Sequence, residues 1–373
     1  MSKICFLSLN VAAPWGGSED LWYKTAKTLI GKGYSISVIF FDWEEQESPN
    51  LREIEKLGIY VIRIPFIGTT KVRIRRLLNP LLGDMNKRCV KKAILKIKPD
   101  LVVHTNMGPR GRDVLAYAIS KNIPYILDIQ LSDEFLWHVC NDDTVNCYVN
   151  AKAVYFLADR NRNATEKQLG TKLINARKHF NPIKTSRQLP DIKTNGVVNF
   201  ACVGRMGVEH KRQDLVLEIL ASEKWRNRNW KLYFYGRGEH LQSLKNLVKM
   251  YQLEQKVYFE GHVSNINSVW EKCQVLLLPS TYEGMSLAVM ECMQAGRVPV
   301  VTNTGGSCEF IINGEHGFIA EAATFNLFSD AMERALQQID NWPEIGKQAQ
   351  QRLKQIVPPD AAAYFAEEII SHL

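Results

Sequence analysis

Short apolar runs alternate with amphipathic runs along this chain, stop at a polar stretch, and begin again. Residues 4–9 (ICFLSL), 34–41, 60–66, 100–105 and 124–130 read as buried strands. Residues 21–32, 84–98 and 112–121 read as helices between them. After the polar segment 181–195, with two prolines and the composition of a linker, a second series follows. Its strand-like runs are 196–203, 231–235, 257–260, 275–279 and 298–302, and its helix-like runs are 212–222, 239–251, 265–272 and 287–295. Alternation of this kind dictates an α/β fold with mostly parallel sheets covered on both faces. At about 150 residues per domain, a chain of 373 residues has room for two such units. We expect a first domain over 1–185, a second over 186–357, and a C-terminal helix over 358–373 that either packs back on the first domain or stands as an ordinary terminal helix. A hinge between two α/β units places the working site in an interdomain cleft.

Composition narrows the class. With 23% charged and 46% hydrophobic residues, the chain as a whole is not disordered, collagenous or coiled coil. The eight cysteines are scattered without a CxxC pair, which argues against a zinc site and for reduced packing thiols. The net charge of +8 is compatible with phosphates, a nucleic acid or an anionic membrane surface. No helix-turn-helix, RRM, KH or zinc-finger signature directs that charge to nucleic acid. No apolar stretch reaches 18 residues, and 3–10 is too short for a signal peptide core. The expectation is a cytoplasmic protein.

The most specific segment is 279–296, PSTYEGMSLAVMECMQAG. A strand ends at Pro279, a polar loop leads to Glu283-Gly284, and a helix begins near Ser286, a plausible N-cap. A helix N-terminus behind a glycine turn favours phosphate through its free N–H groups and dipole. Glu283 and Glu291 are eight positions apart, about 12 Å along a helix. That separation suits a sugar nucleotide, with one carboxylate for sugar hydroxyls and one for the ribose. Taken alone, the two acids fit equally a capped helix with surface carboxylates. Gly204-Arg205 ends the first strand of the second series, and Lys211 follows in the next loop. Cations at the carboxyl edge of a parallel sheet face the ligand crevice, where they would neutralise a diphosphate. In the first half, Trp15-Gly16-Gly17-Ser18-Glu19 is a tight strand-to-helix turn or a phosphate loop.

Together these pieces resemble the family 4 retaining glycosyltransferases, whose fold is GT-B: two Rossmann-like doubly wound domains facing a central cleft. Gly16-Gly17-Ser18-Glu19 resembles the family's N-terminal glycine loop, and Gly204-Arg205 with Lys211 its G-R…K element. Tyr235-Gly236-x-Gly238, the E-x7-E from Glu283 to Glu291, Gly305-Gly306 and Asn313-Gly314-x-x-Gly317 follow in the family's order. The resemblance implies catalytic roles for Arg205 and Lys211 on the leaving diphosphate and for Glu283 on the donor sugar. It gives Glu291 to the ribose, and Gly284, Met285, Ser286 and Leu287 to backbone contacts. Gly16 and Gly17 would approach the distal phosphate, and the nucleobase would rest near Val263. It implies no cofactor and no metal, in keeping with the lack of a DxD motif. The chain departs from the family in the first domain, where a common His position falls on Gln130. Gln130, Asp128 two residues earlier, and His104 are the acceptor-side candidates.

Residues 71–98 carry ten Lys and Arg against the single acid Asp84, with apolar residues interleaved near their start. The stretch is either a solvated helix face or an anionic-membrane contact. The implied partners are a nucleotide-sugar donor and a saccharide or lipid-linked acceptor, with no nucleic acid. Two other functions stay open: a GT-B-like sugar-nucleotide epimerase, and a non-catalytic sugar-nucleotide-binding partner of a glycosyltransferase complex.

Overall fold

A computed structural model describes residues 1–10, 15–42, 49–65, 85–105, 112–131, 140–184, 189, 194 and 196–373. The chain forms two units, Met1–Pro182 with Asp360–Leu373, and Ile183–Pro359.

In the first unit, β1 (Lys3–Ser8), β2 (Ser35–Asp42), β3 (Tyr60–Pro65), β4 (Leu101–Thr105), β5 (Tyr125–Ile129), β6 (Ala153–Phe156) and β7 (Ala176–Lys178) make one sheet. Its order is β3-β2-β1-β4-β5-β6-β7, and every pairing is parallel. Strand order reverses between β1 and β4. The strands read as unbroken apolar runs because helices cover both faces. Leu101 and Val103 pack with Leu21, Trp22 and Leu29 on one side. Val102 packs with Val90, Ile94 and Leu115 on the other. β6 and β7 escape a reading by periodicity, being four and three residues long.

The helix Ala361–Ile370 belongs to this unit although it follows the second in sequence. Asp360 caps it, accepting from the backbone N–H of Ala362 at 3.0 Å and Ala363 at 2.9 Å. Phe365, Ala366 and Ile369 are buried with Trp22 and Tyr155, and Tyr155 donates its hydroxyl to Glu368 Oε2 at 2.9 Å.

In the second unit, β8 (Val198–Val203), β9 (Trp230–Tyr235), β10 (Val257–Gly261), β11 (Val275–Leu278), β12 (Val298–Thr302) and β13 (Phe318–Ala320) form a parallel sheet. Its order is β10-β9-β8-β11-β12-β13, reversing between β8 and β11. Crevices outside the carboxyl ends of strands at such a reversal are where open α/β sheets bind ligands. The glycine-arginine pair follows β8 and the E-x7-E segment follows β11, so the topology delivers both motifs to one reversal point.

Candidate functional site

The turn after β8 is built on glycine. Gly204 has φ +151° and Gly236, in the turn after β9, has φ +136°. A Cβ at 236 would lie 1.9 Å from the Gly204 carbonyl oxygen, so the two turns can stack only as bare backbone. Gly204 N–H donates to Tyr235 O at 2.9 Å, and Met206 N–H to Arg237 O at 2.9 Å. This platform launches the short helix Val208–Lys211.

Three consecutive residues of that helix grip three consecutive residues of the loop after β11. Thr281 donates its hydroxyl to Glu209 O at 3.1 Å and its N–H to His210 O at 2.9 Å. The His210 ring stacks on Tyr282 with centroids 4.1 Å apart and planes 2° from parallel. Lys211 Nζ donates to Glu283 Oε1, and Ser280 Oγ donates to the same oxygen at 2.7 Å. The side chains of Glu283 and Lys211 are 8% and 13% exposed, so water screens the pair weakly. Burial works to raise the Glu283 pKa, but Lys211, His210 and Ser280 together hold it below its ordinary value. Burial, reinforced by the Lys211 charge, lowers the pKa of His210.

Arg205 sits differently. Its Nε donates to Glu239 Oε2 at 3.0 Å, with both side chains half exposed. An exposed pair of this kind is worth about 0–1 kcal/mol, so it can be broken at little cost. Gln213, which is buried, donates to the Arg205 carbonyl at 2.8 Å and fixes the backbone beneath it.

The helix Leu287–Gln294 starts where expected, with Ser286 in the N-cap position, but the Ser286 hydroxyl makes no capping bond. The turn is set instead by Gly305 and Gly306. Gly306 N–H donates to Gly284 O at 2.8 Å. A Cβ at Gly305 would lie 2.3 Å from that same oxygen. Met285 is buried, Ser286 and Leu287 are half-buried, and Glu291 is buried on its helix rather than displayed at the surface. Val263 is half-buried just past Gly261, whose carbonyl accepts from Gly236 N–H at 2.7 Å.

In the first unit Gly16 caps the helix Gly17–Gly31 in an extended conformation. A Cβ at 16 would lie 3.3 Å from Glu19 Oε2. The bare glycine therefore makes room for a buried carboxyl, which accepts from Ser8 Oγ at 3.0 Å, Asn10 Nδ2 at 3.0 Å and Ser18 Oγ at 2.9 Å. Burial raises the Glu19 pKa despite these three donors. Glu19 enters the sequence reading only as part of the glycine loop, although its S-E pairing lies in plain view. His104, one residue before the end of β4, is enclosed, its pKa pushed down to about 4 by burial, and Asp128 is wholly buried. Gln130, just past β5, is half-buried. The basic segment is described from residue 85, and residues 71–84 lie outside the described residues. In the helix Met85–Ile97, Val90, Ala93, Ile94 and Ile97 are buried while Lys87, Arg88, Lys91, Lys92, Leu95 and Lys96 are exposed. Among the described residues no helix is long and apolar enough to cross a membrane.

Residues 198–338 match the family model described as glycosyl transferases group 1. Over 351 residues the chain is 23% identical to an uncharacterized glycosyltransferase of Haemophilus influenzae, covering 92% of each chain. Among solved structures, HepE of Anabaena in complex with UDP and glucose superposes with a TM-score of 0.72 at 16% identity, covering 100% of each chain. A TarM variant of S. aureus, in complex with fondaparinux, alpha-GlcNAc-glycerol and UDP, gives 0.75 at 13% identity, covering 100% of this chain and 99% of that one. The two parallel-sheet units and these neighbours establish the GT-B fold. The second unit carries the glycosyl transferases group 1 match across both motifs that its reversal point brings together.

Proposed function

We propose that this chain is a retaining hexosyltransferase of glycosyltransferase family 4. It moves a sugar from a nucleoside diphosphate donor to a saccharide or lipid-linked saccharide in polysaccharide or glycoconjugate synthesis, in the cytoplasm and without a metal. The observation that carries this reading is the buried Lys211–Glu283 pair at the β8–β11 reversal, beside the N-terminus of the helix Leu287–Gln294. A cation and a carboxylate held at one point serve the two ends of one ligand. Lys211 has three N–H donors, so it can keep Glu283 and still reach a phosphate. Glu283, ionised, accepts hydrogen bonds from hydroxyls of the donor sugar. Arg205 swings from Glu239 to the diphosphate, and the backbone from Gly284 to Leu287 adds N–H groups. Glu291 takes the ribose, Val263 borders the base, and Gly16 and Gly17 approach the distal phosphate.

In the reaction the acceptor oxygen bonds to the anomeric carbon from the face the diphosphate leaves. The carbon–oxygen bond to phosphate breaks, and the leaving phosphate takes the acceptor proton. Arg205 and Lys211 stabilise the charge that builds on that oxygen. The exposed basic face of the helix Met85–Ile97, with the basic residues before it, contacts an anionic membrane surface that presents the acceptor.

A thermal-shift panel of UDP-, GDP- and ADP-sugars followed by turnover in excess EDTA tests the reading. One donor should raise the melting temperature by mass action and be turned over with the chelator present. A panel with no shift overturns the donor assignment, and turnover that returns only with a divalent ion overturns metal independence.

A further inference from the structure

At the carboxyl edge of the first sheet, side chains from β5 and from the segment after β7 form a polar chain that ends on Gln130. Gln130 Nε2 donates to Asp128 Oδ1 at 2.8 Å and Oδ2 at 3.0 Å. Asn181 Nδ2 donates to Gln130 Oε1 at 2.8 Å. Behind Asp128, His179 Nε2 lies 2.8 Å from Oδ1, with both side chains wholly buried. The approach is off the imidazole N–H axis, so this contact is electrostatic rather than a well-directed hydrogen bond. The His179 ring stacks on Phe365 at 5.1 Å and meets Tyr155 edge-on at 5.8 Å, which fixes it in place.

The chain leaves Gln130 no freedom to flip. Both Asp128 oxygens accept, so the amide nitrogen faces Asp128; Asn181 donates, so the amide oxygen faces Asn181. The two Asp128 oxygens are close enough together to share one N–H of Nε2, so the second N–H and one lone pair of Oε1 have no partner among the described residues, on the half-buried member of the chain. That is the complement of a hydroxyl, which both donates and accepts. Asn181 Oδ1 and the hydroxyl of Thr105, which lies opposite Asp128 in the β4–β5 register, are buried at the same edge. Neither has a hydrogen-bond partner among the described residues. Buried polar atoms are ordinarily paired, so their position at a ligand-binding edge is a second sign of a polar ligand. The partners of Gln130 are a carboxyl and an amide, with no cation, so a phosphate or carboxylate has no reason to bind there.

We propose that Asn181 and His179, the latter through Asp128, are positioning residues that lock the Gln130 amide, and that this lock makes the subsite selective for a neutral sugar hydroxyl. Asp128 is then a positioning residue as well, not a general base. The inference rests on the glycosyltransferase reading above.

The test compares Gln130→Met, Asn181→Leu, His179→Phe and His179→Gln with the wild type. Each is assayed with the nucleotide sugar that the wild type turns over. Gln130→Met keeps length and loses both polar atoms, so kcat/KM should fall about tenfold to a hundredfold. Its affinity for the free nucleoside diphosphate, by calorimetry, should not change. Asn181→Leu should fall by a comparable factor. His179→Phe keeps the stack on Phe365 and should lose several-fold in kcat/KM, with His179→Gln, which returns a polar group beside Asp128, recovering part of it. A Gln130→Met protein within twofold of the wild type overturns the subsite. Position 181 and 179 variants that lower the melting temperature but keep kcat/KM overturn the positioning roles. A wild type that binds no nucleoside diphosphate and turns over no sugar nucleotide brings down the glycosyltransferase reading itself, a result the variants cannot produce.

Discussion

Lys211 and Arg205 bring the same charge to the same reversal point, yet their surroundings set different consequences for losing them. Losing a cation aimed at a developing charge costs about 10²–10³ in rate. Both Arg205→Ala and Lys211→Ala should therefore lower kcat by that order, with KM for the donor moving much less, in steady-state kinetics. Stability should separate them. Arg205 leaves behind a half-exposed Glu239, so its variant should melt within about 1 kcal/mol of the wild type. Lys211→Ala strands a buried carboxyl, a loss of about 3–5 kcal/mol. The pH dependence follows from Glu283, whose folded pKa is held below its ordinary 4.5. Its contribution is present above 4.5 and is lost as pH falls through the lower folded value. The gap in melting temperature between wild type and Lys211→Ala should thus be wide at neutral pH and narrow once the pH falls below 4.5 and through that lower folded value. A gap that stays constant across that range would mean the pair is not coupled. The sequence marks Arg205, Lys211 and Glu283 by motif. It does not show that Lys211 and Glu283 bond to each other across 72 positions, nor that His210, Tyr282 and Ser280 hold them.

At the scale of the element, the loop carrying Glu283 is shaped by glycines from a neighbouring turn. Gly305 has φ +50°, and a Cβ there would sit 2.4 Å from the Glu283 carbonyl oxygen. Gly305→Ala should cost about 1–3 kcal/mol in stability and weaken nucleoside diphosphate binding as the loop shifts. Gly314 has φ +88° but open space around it, so Gly314→Ala should cost stability alone. Melting and calorimetry read both, and equal nucleotide affinity in the two variants would detach the 305 turn from the donor site. The basic segment is a second such element. Replacing Arg73, Arg75 and Arg76 with Ser should reduce sedimentation with anionic vesicles, each basic residue contributing about 1 kcal/mol near the surface. Unchanged binding would leave the segment as a solvated face. Element boundaries were legible where an apolar run ended at a glycine, as at Val203, while the strand read to Pro279 stops one residue earlier, at Leu278. The helix Gly17–Gly31 begins four residues before its apolar pattern does, because Ser18, Glu19 and Asp20 are buried polar residues.

For the whole molecule, the C-terminal helix decides the integrity of the first unit. Phe365 is fully buried against Tyr155 and His179. Phe365→Ala should destabilise by about 3–5 kcal/mol. Hydrogen exchange should locate the loss in residues 1–182 rather than in the second unit, and an even loss across both would contradict the assignment of the helix. What the sequence by itself determined is the repeated α/β alternation, and with it two parallel sheets, since covered strands must be apolar throughout. It also determined which loops carry glycines and charges, because turns and anion sites need particular residue types at fixed spacing. The tertiary structure alone decided the sheet order, which lays Lys211 on Glu283 and closes the Asp128–Gln130–Asn181 chain. It also decided the return of residues 361–370 to the first unit. Apart from the Asp128–Gln130 link, these contacts join residues tens to hundreds of positions apart, and periodicity reports only on neighbours within a turn or a strand.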